Sequence, residues 1–342
     1  MKLTVVGAGA VGGLLAAALV RGGQPVNLLA RGATLAAVRE HGLRVRDPAT
    51  QEADRPSEWR VDVDAASDAR RFGVQDCIVI ALKAQQLAGA VADIAPLCGP
   101  TTVVISASNG LPWWFLHCLD GPLAGQSIAS VDPDGALCRR FPPPRAAGCV
   151  VHLSVSVAAP GVIARGNGNR LIVGAADPTE RSVAACLDAV SAAWSRGGMA
   201  VSSTARIRDD IWAKLWGNMT MNPLSALTRA TADRLLDDPY TAELIRQMMR
   251  EATALGVRLG LTLRTDEQAI EERIAVTRQL GAFKTSMLQD LEASRPLELA
   301  PLLGVFPELG RRLGVDTPYC DAVLGLARLL DDKLQEAAPG AA

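Results

Sequence analysis

Residues 2–13 read KLTVVGAGAVGG, and no other stretch limits the folds open to this chain so strongly. Leu3, Val5 and Val6 form a short apolar run of the kind that makes a strand buried on both faces. Gly7, Gly9 and Gly12 follow at once in the spacing G-x-G-x-x-G, and residues 14–20, LLAAALV, then favour helix. Strand, glycine turn and helix in that order predict a cradle for a dinucleotide pyrophosphate. Gly7 allows a tight turn, Gly9 lets phosphate approach the backbone, and Gly12 lets the helix pack close to the sheet. Ala8, Ala10 and Val11 complete the loop, whose free N–H groups and positive helix end face the phosphates.

A second strand is expected over 25–30, ending at Arg31, nineteen positions after Gly12. An acidic residue near this place would accept from the ribose 2′-hydroxyl of NAD. Arg31 cannot accept, but its guanidinium suits the 2′-phosphate of NADP. The expected cofactor is therefore NADP(H).

Further strands at 76–82 and 101–106, with a helix up to residue 97 between them, continue the alternation of a parallel sheet. They end at Lys83 and at Asn109-Gly110. Ligands of such sheets sit outside the carboxyl ends of the strands, which makes the glycine turn, Arg31, Lys83 and Asn109 one set of candidates. Segment 42–64 reads as a pair of edge strands. Strand patterns at 149–157, 169–173 and 199–203, with a helix near 178–193, close the first domain. From residue 207 onward only helical patterns recur, at 209–230, 239–255, 266–280, 286–293, 297–313 and 319–333. The fold class expected is α/β, a doubly wound, mostly parallel sheet over 1–204, followed by an all-α domain over 205–336 and a disordered tail, 337–342. Segment 111–145, with Trp113, Trp114 and Phe115, is expected at the rim of the ligand cleft.

Composition narrows the partners. The net charge of −1 gives no electrostatic case for nucleic acid or an anionic membrane. No apolar run is long enough to span a bilayer, and the cofactor strand starts at residue 3, so no signal peptide is expected. Seven cysteines without C-x-x-C or zinc spacing suggest free thiols, a cytoplasmic setting and no metal. A homodimer is compatible with the sequence, which does not fix the oligomeric state.

The chemistry is expected on helix 209–222, DDIWAKLWGNMTMN. Lys214, Asn218 and Asn222 recur every four residues and so share one face of an otherwise apolar helix. Buried polar groups need partners, and a polar small molecule would supply them. Pro223 should kink the helix there and free backbone carbonyls. Ser286 with Gln289 reads as a capping box, and a helix N-terminus with a serine hydroxyl is also a carboxylate site. Glu298 is expected one turn into the next helix.

Taken together, GAGAVG at 7–12, Arg31, LK at 82–83, NG at 109–110, KLWGNMTMNPLSAL at 214–227 and SMLQDLE at 286–292 followed by Glu298 resemble the ketopantoate reductase (2-dehydropantoate 2-reductase) family over nearly the whole chain. That resemblance implies a Rossmann domain joined to a helical domain, and NADPH-dependent reduction of a 2-oxo acid to a 2-hydroxy acid. It implies Lys214 as general acid, and Glu298 as a second catalytic residue near the reacting oxygen and the nicotinamide ribose. It also implies Asn109 bridging cofactor and substrate, Lys83 near the cofactor, and Asn218, Asn222 and Ser286 holding the substrate with Lys214. Two positions depart from the family pattern, Phe283 and Ala232, where polar residues would bind the distal hydroxyl of ketopantoate. Segment 111–145 is longer than the family leads one to expect. Ketopantoate is the first substrate reading. The others are a 2-oxo acid, hydroxyacid or opine-type dehydrogenase with a bulkier apolar substrate, and a non-catalytic NADP-sensing module.

Overall fold

The computed structural model describes residues 1–48, 58–264 and 266–337. The strands are β1 (Leu3–Val6), β2 (Asn27–Leu29), β3 (Leu43–Arg46), β4 (Glu58–Val61), β5 (Asp64–Ala66), β6 (Cys77–Ile80), β7 (Val103–Ser106), β8 (Ala146–His152), β9 (Val155–Ala159), β10 (Val162–Arg165), β11 (Arg170–Ala175) and β12 (Ala200–Ser203). The α-helices are α1 (Ala10–Arg21), α2 (Gly32–His41), α3 (Ala84–Ile94), α4 (Ala136–Arg140), α5 (Arg181–Arg196), α6 (Ile207–Thr228), α7 (Ala232–Asp237), α8 (Pro239–Arg258), α9 (Glu267–Arg278), α10 (Ser286–Glu292), α11 (Val305–Leu313) and α12 (Pro318–Glu336).

Two compact units result. One comprises Met1–Ser108 with Gly135–Ile207, the other Asn109–Asp134 with Arg208–Ala342. Beside the expected break near residue 204, residues 109–134 group with the helical unit. Their aromatic side chains supply the reason, since their partners lie on the helices of that unit.

In the first unit the main sheet has the strand order β12-β11-β8-β7-β6-β1-β2-β5. Its pairs are parallel except β8 with β11. β1 and β6 to either side of the turn are buried throughout, as their unbroken apolar runs require. Helix α1 buries Leu14 to Leu19 in the core, and the Trp194 indole of α5 donates to the Leu15 carbonyl at 3.1 Å. The edge-strand segment resolves into β3 and β4 of a second sheet, ordered β4-β3-β10-β9, and β5 of the first. Its residues 49–57 lie outside the described residues, as do residues 338–342 of the tail.

The second unit contains no strand among its described residues. Its centre is α6. Trp212 stacks on Phe115 at 5.9 Å between ring centroids and meets Phe306 of α11 at 5.3 Å. Arg208 lies over the Trp114 ring and donates to the carbonyls of Phe115 and His117. Trp113, Trp114 and Phe115 are fully buried. Burying these three large rings is far more favourable than leaving them wet, so they serve as core of the helical unit.

Among the helices, α6 keeps close to its expected span and two expectations change. Helix α6 spans Pro223 and reaches Thr228, close to the expected 209–230, and the Asn222 carbonyl accepts from the Ser225 hydroxyl at 2.9 Å. Helix α10 is capped by Thr285, whose Oγ1 accepts from Leu288 N at 3.2 Å, so Ser286 is the first helical residue and not a capping-box serine. Residues 297–313 begin with a π-helical turn, Ala300–Gly304, and Glu298 precedes it.

Candidate active site

In the first unit β6, β1 and β2 lie side by side. Lys83, the glycine turn and Arg31 therefore follow the carboxyl ends of three neighbouring strands. Gly7 sits at φ +99°, and a Cβ there would come within 2.9 Å of the Ala81 carbonyl oxygen. A Cβ on Gly12 would lie 1.9 Å from the Gly7 oxygen, whereas one on Gly9 would meet nothing within 4 Å. Gly7 and Gly12 are thus demanded by the protein's own packing. Gly9 instead opens on free space at the start of α1, where it is the N-cap. No side chain caps that helix and no acidic residue stands in its first turn. Uncapped N–H groups beside open space fit a pyrophosphate.

Arg31 is the N-cap residue of α2, and its Nη2 meets Asp93 Oδ2 at 2.5 Å with both side chains more than half exposed. Lys83 is the half-buried N-cap residue of α3.

In the second unit the Lys214 ammonium donates to Asn109 Oδ1 at 2.8 Å, joining two candidates 105 residues apart. The next residue, Gly110, has φ +83°, and a Cβ there would come within 2.5 Å of the Pro301 carbonyl oxygen. That same oxygen accepts from Leu111 N at 3.1 Å. The NG turn is therefore clamped onto the π-helical turn that follows Glu298. Glu298 is buried, Asn222 is buried, and Lys214 and Asn218 are half-buried on the same helix. Ser286 is exposed at the first position of α10. Ala232 N donates to the Phe283 carbonyl at 3.0 Å, so the two positions that depart from the family pattern are neighbours.

The sequence did not point to Pro301, although the NG dipeptide, which favours a positive φ at glycine, was a signal that something presses on that turn. Nor did it identify Thr285, which offers the same kind of hydroxyl cap one residue before Ser286 although serine is the commoner choice.

Sequence profiles described as ketopantoate reductase PanE/ApbA match residues 3–115 and, for the C-terminal part, 206–331. A 2-dehydropantoate 2-reductase from Mesorhizobium japonicum is 42% identical over 332 residues, 96% of this chain and 98% of that one. The chain belongs to the ketopantoate reductase family. It is accordingly an oxidoreductase of the class acting on CH–OH groups. Among solved structures, a candidate ketopantoate reductase from Ralstonia solanacearum is similar at 44% identity and TM-score 0.87, with 98% of each chain covered. A PanE/ApbA family ketopantoate reductase from Ralstonia eutropha is similar at 25% identity and TM-score 0.80, over 98% of this chain and all of that one. The family's α/β domain and helical domain are the two units described above. Among the described residues no helix is long and apolar enough to cross a membrane, and no group of three His, Cys, Asp or Glu is placed to hold a metal.

Proposed function

We propose that this ketopantoate reductase family member reduces 2-dehydropantoate to pantoate with NADPH. The observation that carries the reading is the Lys214–Asn109 hydrogen bond in a chain 42% identical to a named 2-dehydropantoate 2-reductase. Gly7, Ala8, Gly9, Ala10, Val11 and Gly12 would hold the pyrophosphate, Arg31 the 2′-phosphate, and Lys83 would lie near the cofactor. NADPH supplies the hydride when bound. Lys214 gives its proton to the carbonyl oxygen and stabilises the developing alkoxide with its charge. Asn109 orients the ammonium, and Glu298 lies on the segment that clamps the turn bearing Asn109. Asn218, Asn222 and Ser286 hold the substrate.

Asp93 does not argue against the 2′-phosphate role. An exposed ion pair is worth about 0–1 kcal/mol, so it yields readily to a dianionic phosphate.

A second reading, a relaxed preference for apolar 2-oxo acids, is favoured by Phe283 and Ala232 meeting at one place. Both readings belong with a cytoplasmic enzyme, and sedimentation would test a homodimer. Turnover of NADPH with ketopantoate, ketoisovalerate and ketoisocaproate, followed at the nicotinamide absorbance, tests the proposal. Cofactor binding without turnover of any of them would replace it with the sensor reading. A preference for ketopantoate over ketoisovalerate of about 10⁴ or more, as a hydroxyl-reading site gives, would end the relaxed reading.

A further inference from the structure

We propose that Arg273 is the anion-binding residue of the substrate site and that its guanidinium takes the carboxylate of the 2-oxo acid on the α6 face that carries Lys214 and Asn218. The proposal rests on the reading of α6 as the substrate helix. Between Ile207 and Asn222 that helix is buried except at Asp210, Ala213, Lys214 and Asn218, which are half-buried. At about 100° per residue, Gly217 falls within about 60° of Lys214, inside this half-buried stripe. A Cβ on Gly217 would lie 2.4 Å from Arg273 Nη2, 3.1 Å from Nε and 3.2 Å from Cζ. The guanidinium, reaching over from α9, thus lies where a side chain on Gly217 would otherwise stand. Glycine in the middle of a helix is unfavourable relative to alanine, and room for this group gives the position a reason.

The neighbouring arginines are matched with acids. Arg246 pairs with Glu271, Arg250 with Glu267, Arg264 with Glu272 and Arg278 with Asp237. Among the described residues Arg273 has no ion pair, and its buried Nε has no hydrogen-bond partner. Burial pushes its pKa down, and no carboxylate opposes that effect. A guanidinium nevertheless stays protonated, so the charge remains. Arg273 as a residue is half-buried, and a charge partly withdrawn from water with no counter-ion gains from a ligand that neutralises it. The planar fork matches a carboxylate with two parallel hydrogen bonds.

The test is calorimetric binding of ketopantoate to the NADP⁺-loaded protein, alongside turnover of the wild type and thermal unfolding of every variant. Arg273→Met should weaken ketopantoate binding on the order of tenfold to a hundredfold, the range for charge-assisted hydrogen bonds, with NADPH affinity unchanged. Gly217→Ala should weaken it in the same direction while keeping the charge, because the added methyl displaces the guanidinium. On helix propensity alone that substitution would leave the protein folded and at least as stable. The methyl ester of the substrate should be insensitive to both changes. Unchanged ketopantoate binding in Arg273→Met or in Gly217→Ala overturns the Arg273 assignment while leaving wild-type turnover standing. Wild-type binding that depends on Arg273 without turnover overturns the reductase reading alone.

Discussion

Replacing Asn109 tests the proposed proton donor through its partner. The Lys214 ammonium is held by Asn109 Oδ1 at 2.8 Å, a charge-assisted bond whose loss costs about 1.5–3 kcal/mol. At about 1.4 kcal/mol per tenfold, Asn109→Ala should slow turnover by roughly 10–150-fold if that bond positions the proton. Lys214→Ala removes the general acid itself and should lower turnover by roughly 10²–10⁴-fold, with NADPH binding retained. Lys214→Arg should not restore it, since guanidinium does not release a proton near neutrality. The double variant decides the matter. With the ammonium gone Asn109 has nothing to orient, so the two losses should fall short of adding by about 1.5 kcal/mol or more. Single-turnover rates at saturating NADPH, measured in the four proteins, give this coupling. Losses that multiply fully in the double variant would refute the claim that Asn109 acts through Lys214. Near-normal turnover in Lys214→Ala would refute the general acid.

Arg31→Ala should weaken NADPH binding by about 1.5–3 kcal/mol and leave NADH nearly unchanged; fluorescence titration showing equal loss for both cofactors would rule out the 2′-phosphate role. Gly9→Ala should fold with an unchanged unfolding temperature, since its Cβ meets nothing within 4 Å, yet lose cofactor affinity. Normal affinity in that variant would mean the space beside Gly9 is not where phosphate sits. Glu308 accepts from Ala129 N, Ser130 N and the Ser130 hydroxyl at 2.6–2.7 Å and so ties segment 127–130 to α11. Burial alone would raise its pKa, but these hydrogen bonds and the charge of Arg312 lower it overall. Its stabilisation is therefore full above the unfolded-state value of about 4.3 and is lost as pH falls through the lower folded value. Glu308→Gln should cost about 1–3 kcal/mol at neutral pH, with the gap in unfolding temperature closing in acid; a gap that stays constant would contradict the assignment.

What the sequence could and could not convey follows from the range of the forces involved. The turn at Gly7 to Gly12 was legible because its demands are local: a strand, a positive φ, and a close approach within a few residues. The Lys214, Asn218, Asn222 stripe was legible because helical periodicity carries it, and the burial of the opposite face was implied by Trp212, Leu215, Trp216 and Met219. Long-range packing was not legible. Trp113, Trp114 and Phe115 are as consistent with a cleft rim as with a core until Phe115 is seen to stack on Trp212, which meets Phe306 in turn, and neither partner is local in sequence. Pro223 shows packing holding together a helix that local chemistry disfavours. The rule that proline breaks a helix weighs one lost hydrogen bond and a steric clash, about 3 kcal/mol, against nothing. Here the residues on either side, Met219 to Ala226, are all buried, and ending the helix would forfeit more than that in apolar contact. The same imbalance explains Arg273. Nothing in its local sequence separates it from Arg246, Arg250 or Arg278, and only the absent side chain of Gly217, on another helix, sets it apart.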